Sequence, residues 1–341
     1  MSVLDVRPAA RIVAIAASLP PLRRTSSEVE SIIAANSPGT AIPKGIVESV
    51  TGIRERRVAA EGVFASDLAA DAARQVLHKT GTPPSNVDLL IYASAGQDLT
   101  EPATANIVQE KAGTACPVFD LKNACNSFLN GLEVAAALIR GGAYRTILVT
   151  VGETPTRGIK WQIYGRDDLR LSFPGYTLGD GGAAALVVPA TDERGIFYSS
   201  FTTVSRHWNL ATVLGGGSMH PRGDEYSYIS GDASRLKDAF AEVGPAVIQE
   251  ALAATGTTFD DYRRILVHQV SLPFLRAFVR ASGVPRDKIE MTLPMLGNMA
   301  AASLPVAFAQ AVERGAIRSG DPVMWIGLAG GISVGVLVSV V

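Results

Sequence analysis

The chain has only two cysteines, Cys116 and Cys125, among 341 residues. Their spacing suits neither a zinc site nor a disulfide framework, which points to a reducing compartment. Charge of one sign is also missing. Lys and Arg number 31 against 32 Asp and Glu, so nothing prepares a face for nucleic acid or an anionic membrane. The N-terminus, MSVLDVRPAARIVAIAASLPPLRR, carries early charges and a short apolar run broken by prolines, unlike a secretory signal. A cytoplasmic location is expected. One uncharged stretch, VMWIGLAGGISVGVLVSVV from Val323 to Val341, approaches the length of a bilayer span. Its four glycines and dense valines suit two short buried strands about a Gly-Gly turn better than a helix, so no membrane span is expected.

What is present is apolar and alternating. Hydrophobic residues make up 47% and charged residues 18%, and the length predicts two domains or one large fold of two similar halves. β-rich runs (VDLLIYAS, RTILVTVG, AAALVVP, RRILVHQ, VMWIGLAG) alternate with helical stretches such as SDLAADAARQVLHKTG and AFAEVGPAVIQEALAATG. That order predicts an α/β fold of βαβ units on a largely buried sheet. The halves echo each other at an offset of about 175 residues. NACNSFLNGLEVAAALIRGGAYRTILVTVGE aligns with GNMAAASLPVAFAQAVERGAIRSGDPVMWIGLAGG, and DLLIYAS with RILVHQV.

Cys125 follows the extended run CPVFDLKNA and precedes a helix whose apolar Phe128, Leu129, Leu132 and Ala136 recur at helical spacing. A thiol in a first helical turn feels unpaired backbone amides, which favour the thiolate; the alternative is an inert core cysteine. Cys116, beside Pro117, has no such helix and reads as structural. Of four histidines, His78 ends a polar helix, and His207 and His220 sit in loop-like sequence where a weak metal or substrate role stays open. His268 closes the strand RRILV, where α/β folds collect their sites. Asn298 precedes the helix of the second repeat. If the halves pack about a pseudo-twofold axis, Cys125, His268 and Asn298 converge as nucleophile, base or hydrogen-bond donor, and amide donor.

NAC before a helix, VHQVS after a strand and LGNMAAASLP before another helix resemble the Cys-His-Asn triad of the thiolase superfamily, as in enzymes similar to ketoacyl-ACP synthase III. The match runs from TGIRERR near Thr51 to the closing GLAGGISVG. It implies a five-layered αβαβα arrangement of two duplicated βαβ-rich halves: residues 1–190 with the cysteine, and residues 191–341 with the histidine and asparagine. Ser271, where the fatty-acid initiating enzymes read asparagine, and the segment ACNSFLNG resemble OleA-type enzymes, which join two acyl thioesters head to head. QDLTEPATANIV resembles the segment that sends a glutamate across that subfamily's dimer interface, which makes Glu101 the implied base for the α-proton; the plainer reading is a solvated acid before Pro102.

The resemblance further implies a homodimer, or a heterodimer with a homologous subunit. Its substrates would be acyl-CoA or acyl-ACP thioesters, with no bound cofactor or metal. The oxyanion would be held by the amide of Cys125 and one from the Gly330–Ile332 turn. Rival expectations are a decarboxylative synthase using a malonyl thioester, acyl transfer to an oxygen acceptor, and a catalytically silent subunit. WQIYGRDDLRLSFPGYTLGD, from Trp161, is either a wall for acyl chains or a dimer-contact loop, and Lys122 either favours the thiolate or points away.

Overall fold

The computed structural model describes residues 8–341, so the first seven residues of the N-terminal stretch lie outside it. Up to residue 189 the order is β1 (Ala10–Ser18), β2 (Leu22–Thr25), α1 (Ser26–Asn36), α2 (Ile46–Thr51), β3 (Glu55–Val58), α3 (Ala65–Thr80), β4 (Leu89–Ala93), α4 (Thr104–Ala112), β5 (Val118–Leu121), α5 (Ser127–Arg140), β6 (Ile147–Glu153), α6 (Arg166–Ser172) and β7 (Gly181–Pro189). Then come β8 (Gly195–Thr203), β9 (Ala211–Val213), β10 (Ile229–Gly231), α7 (Ala233–Thr255), β11 (Arg264–Val267), α8 (Leu272–Ser282), α9 (Leu293–Leu296), α10 (Ser303–Glu313), β12 (Pro322–Ala329) and β13 (Ser333–Val340).

Two sheets carry the fold, and one repeats the other. The first has the order β1-β7-β6-β4-β5, and the second, read in the same sense, β8-β13-β12-β11. In each, a parallel pair is followed by an antiparallel neighbour: β4 with β6 and then β7, β11 with β12 and then β13. Leu89 faces Ile147 and Arg264 faces Val323, so partners in the second sheet lie 175 and 176 positions after those in the first. Where β5 joins β4, the second sheet has only a single parallel bridge between Ile265 and Ile289.

Strands buried on both faces read as unbroken apolar runs because helices cover each side. On the outer face of the first sheet, Ala69, Ala73 and Val76 of α3 and Val108 of α4 pack on Leu90, Leu148 and Leu186. On the outer face of the second, Phe240 and Ile248 of α7 and Phe278 of α8 pack on Ile265, Met324 and Val336. Between the sheets lie α5 and α10, whose Leu132 and Phe308 share one core with Val149 of one sheet and Trp325 of the other. This is the five-layered αβαβα sandwich. Trp325 stacks on Phe308 at 4.9 Å and gives its indole N–H to Ser339 Oγ at 2.9 Å, so its burial leaves no donor unpaired. The uncharged C-terminal stretch forms β12 and β13 on either side of Gly330 and Gly331. Among the described residues no helix is long and apolar enough to cross a membrane.

Candidate active site

Each half builds the same turn before its central helix. Ala124 and Ala300 both take left-handed φ of 46°, and no other non-glycine residue among those described has positive φ. The amide of Asn123 donates to Ser127 Oγ at 2.8 Å, and that of Met299 to Ser303 Oγ at 3.0 Å. Left-handed alanine costs about 1–2 kcal/mol and is kept where surrounding bonds over-determine it. In the first half this turn presents Cys125. Asn126 then ties it to the second sheet, donating from Nδ2 to Ser333 O at 3.1 Å, while Gly327 of β12 lets the same side chain in. A Cβ at Gly327 would lie 2.0 Å from Asn126 Oδ1.

Cys125 is half-buried and free. The backbone amides of Gly330 and of Cys125 itself meet its sulfur, so the two donors expected for an oxyanion are the ones that converge there. The sequence-based expectation of a resting thiolate is corrected. The helix begins only at Ser127, and burial, with a smaller contribution from the Glu153 carboxylate, pushes the thiol up to about 12 despite both amides. Desolvation outweighs what a helix end offers.

His268 follows β11 directly. Its amide donates to Ile326 O at 2.9 Å, one step before Gly327, which sets it beside the Asn126 contact. The ring is fully buried, neither nitrogen has a partner among the described residues, and burial holds it down to about 4. It is a neutral imidazole with an N–H to give. Asn298 is 8% exposed, and its Oδ1 accepts the amide of Ala300 at 3.0 Å. Its own amide donates to Thr177 O at 2.8 Å and its carbonyl accepts from Gly179 at 3.0 Å. Among the described residues no partner claims Nδ2, which leaves a directional donor.

Other expected residues are placed as follows. Glu101 is exposed on the loop between β4 and α4. Lys122 is exposed. Cys116 packs against the first sheet's outer core, where burial raises its thiol. His78 is exposed near the end of α3, His207 lies against Arg206, and His220 stacks on Tyr226 at 3.9 Å. Among the described residues no His, Cys, Asp and Glu cluster could hold a metal. The segment from Trp161 packs Ile163, Tyr176 and Leu178 onto Val29, Ile33 and Val47 of α1 and α2.

Sequence reading missed two residues of this region. Gln269 Oε1 accepts the amides of Thr292 and Leu293, and its Nε2 donates to Glu290 O at 2.7 Å, fixing the approach to Asn298. Glu153 ends β6, 2% exposed. Ser94 Oγ and the amides of Ala95, Gly96 and Ala301 all donate to it, yet burial raises it to about 7. An acid closing the uncharged run ILVTVG of β6 was the available signal.

The model of 3-oxoacyl-[acyl-carrier-protein (ACP)] synthase III matches residues 119–205, and the model of its C-terminal part matches residues 252–340. Beta-ketoacyl-[acyl-carrier-protein] synthase III of Thiobacillus denitrificans is 34% identical over 327 residues, 95% of this chain and 97% of that protein. Its namesake from Laribacter hongkongensis is 35% identical over 292 residues, 85% and 88% of the two chains. Cerulenin-bound OleA of Xanthomonas campestris superposes with TM-score 0.89 at 25% identity, over 100% of this chain and 99% of that one. OleA with bound lauric acid and lauroyl-CoA gives TM-score 0.88 at 25% identity, over 98% and 100%. With a turn that presents Cys125 to two amides and a fold that repeats itself around it, the chain belongs to the 3-oxoacyl-[acyl-carrier-protein] synthase III family of thiolase-fold enzymes and is an acyl-transferring condensing enzyme.

Proposed function

We propose that this enzyme condenses two long-chain acyl-CoA thioesters head to head through an acyl group on Cys125. The observation that carries the acyl-enzyme step is the sulfur of Cys125 under the amides of Cys125 and Gly330. Attack on the thioester carbonyl puts negative charge on its oxygen, which these amides receive; losing one such donor typically costs about 10²- to 10³-fold in rate. The thiol proton leaves with the departing CoA thiolate, and an acyl thioester remains on Cys125.

A second acyl-CoA then loses its α-proton to Glu101 of the partner subunit. The imidazole N–H of His268 and Nδ2 of Asn298 donate to the enolate oxygen. The neutral state of His268 supports this role, because a neutral donor stabilises an enolate without first giving up its proton. The α-carbon attacks the acyl-Cys125 carbonyl, the new C–C bond forms as the C–S bond breaks, and the proton that Glu101 took returns to the departing Cys125 sulfur. The product is a β-ketoacyl thioester, or a β-keto acid after hydrolysis. Support for two acyl chains comes from the full-length likeness to OleA, one of whose structures holds lauroyl-CoA. Arg54 and Arg276, lining a cleft between α2 and α8, suit the phosphates of the thioester carrier.

Incubation with lauroyl-CoA alone tests this. Free CoA and a β-keto acid should both form, with an acyl adduct on Cys125. Turnover only when a malonyl thioester is added would establish instead a decarboxylative reaction. Turnover only with an alcohol would establish acyl transfer to oxygen.

A further inference from the structure

A carboxylate buried without a cation is costly, and proteins keep one where it has work to do. Glu153 is such a group: its hydrogen-bond partners are neutral, and among the described residues no Lys or Arg pairs with it. Those partners come from two separate segments. Ser94, Ala95 and Gly96 form the turn that leads into the loop bearing Glu101, and Ala301 belongs to the turn of Asn298. The carboxylate also works electrostatically against negative charge on Cys125. In the second sheet the matching strand end is Ala329. A carboxylate is therefore no requirement of the fold at this place; it belongs to the pocket with the cysteine.

We propose that Glu153 is a positioning residue for Cys125: its carboxylate draws the 94–96 turn and the Asn298 turn around the sulfur and opposes negative charge there. This rests on the reading of Cys125 as the nucleophile. The groups facing Glu153 are few. From β4 comes Tyr92, whose hydroxyl donates to Gly152 O, and from the turn before α5 comes Cys125. Ala65 and Ala69 of α3 cover the Gly152 side, the 300–302 turn brings only alanines, and opposite on β7 is Gly181. Asp98 and Asp120 act on Tyr92 from farther out, and Asp180 is engaged by Thr156 and Ala59.

Alkylation by iodoacetamide across pH, resolved by peptide mass spectrometry to separate Cys125 from Cys116, reads the charge on the sulfur without substrate. Glu153→Gln should speed alkylation of Cys125 at pH 8 by about tenfold, one pH unit of easier ionisation, while Glu153→Asp, which keeps the charge, stays near the parent rate. Equal or slower alkylation in Glu153→Gln, or the same rate in both variants, overturns the proposal. Should Glu153→Gln fail to fold, Ser94→Ala decides. It removes one donor to the carboxylate, so Glu153 stays protonated to higher pH, and alkylation should quicken at pH 7 and match the parent at pH 9; no change at pH 7 overturns the proposal. An unacylated Cys125 in the lauroyl-CoA experiment refutes the function above, whereas acylation with unmoved alkylation rates refutes only this role.

Discussion

Burial moves His268 and Glu153 in ways that oppose each other. With His268 held at about 4 against an ordinary 6.5, the unfolded chain takes up a proton as pH falls below about 6.5 while the folded chain does not. Stability is lost toward acid, by up to about 3 kcal/mol. Glu153, raised to about 7 from 4.5, keeps a proton that the unfolded chain releases, so stability is lost as pH rises from 4.5 to 7, by a similar amount. The two slopes offset each other between about 4.5 and 6.5. Glu153→Gln should therefore unmask the histidine, and its urea midpoint should fall steadily from pH 6.5 to 4.5 where the parent's changes little. A flat midpoint in the variant would mean that His268 does not titrate as its burial demands.

The duplicated turn is the element that makes the site. Its left-handed alanine, serine clamp and following helix are common to both halves, but only the first half places a nucleophile there, and only there does an asparagine wedge against a glycine of the opposite sheet. Gly327→Ala would drive a methyl into Asn126 Oδ1. We expect a loss of about 1–3 kcal/mol and slower acylation of Cys125, since the turn must move. Asn126 Oδ1 is buried without a partner, so Asn126→Ala removes both the obstacle and an unsatisfied acceptor. The double variant should recover much of the stability lost in Gly327→Ala, a coupling read from thermal or urea unfolding. Additive losses would show that the two positions do not meet.

At the scale of the whole molecule, β5 ends the first sheet with an open edge that carries Phe119, 37% exposed. Open edges with apolar side chains invite pairing with another chain, and the Glu101 step proposed above needs a partner subunit. Mixing Cys125→Ala with Glu101→Ala subunits distinguishes a base supplied in trans from one supplied in cis. In trans, half of the randomly mixed dimers hold one complete site of two, so about a quarter of parental condensation returns. In cis, none returns. Sedimentation at the same concentration should show a dimer in both variants. If it shows monomers, the glutamate acts alone or not at all.

The alternation of strands and helices, the duplication at an offset of about 175, and the places of Cys125 before a helix, His268 after a strand and Asn298 in the turn before another helix were legible in the linear pattern. Apolar periodicity, turn residues and the ends of strands are local properties, and local rules read them. The uncharged C-terminal stretch was resolved in the same way, by glycine and valine spacing rather than by hydropathy alone. Tertiary structure decided the electrostatics. A cysteine near a helix start reads as a thiolate, but desolvation by two packed sheets raises it to about 12, and no local rule contains that packing. An acid closing β6 hinted at Glu153, but its weight comes from Ser94, Gly96 and Ala301, which lie 59, 57 and 148 positions away in the chain and meet only when the sheets close around the pocket.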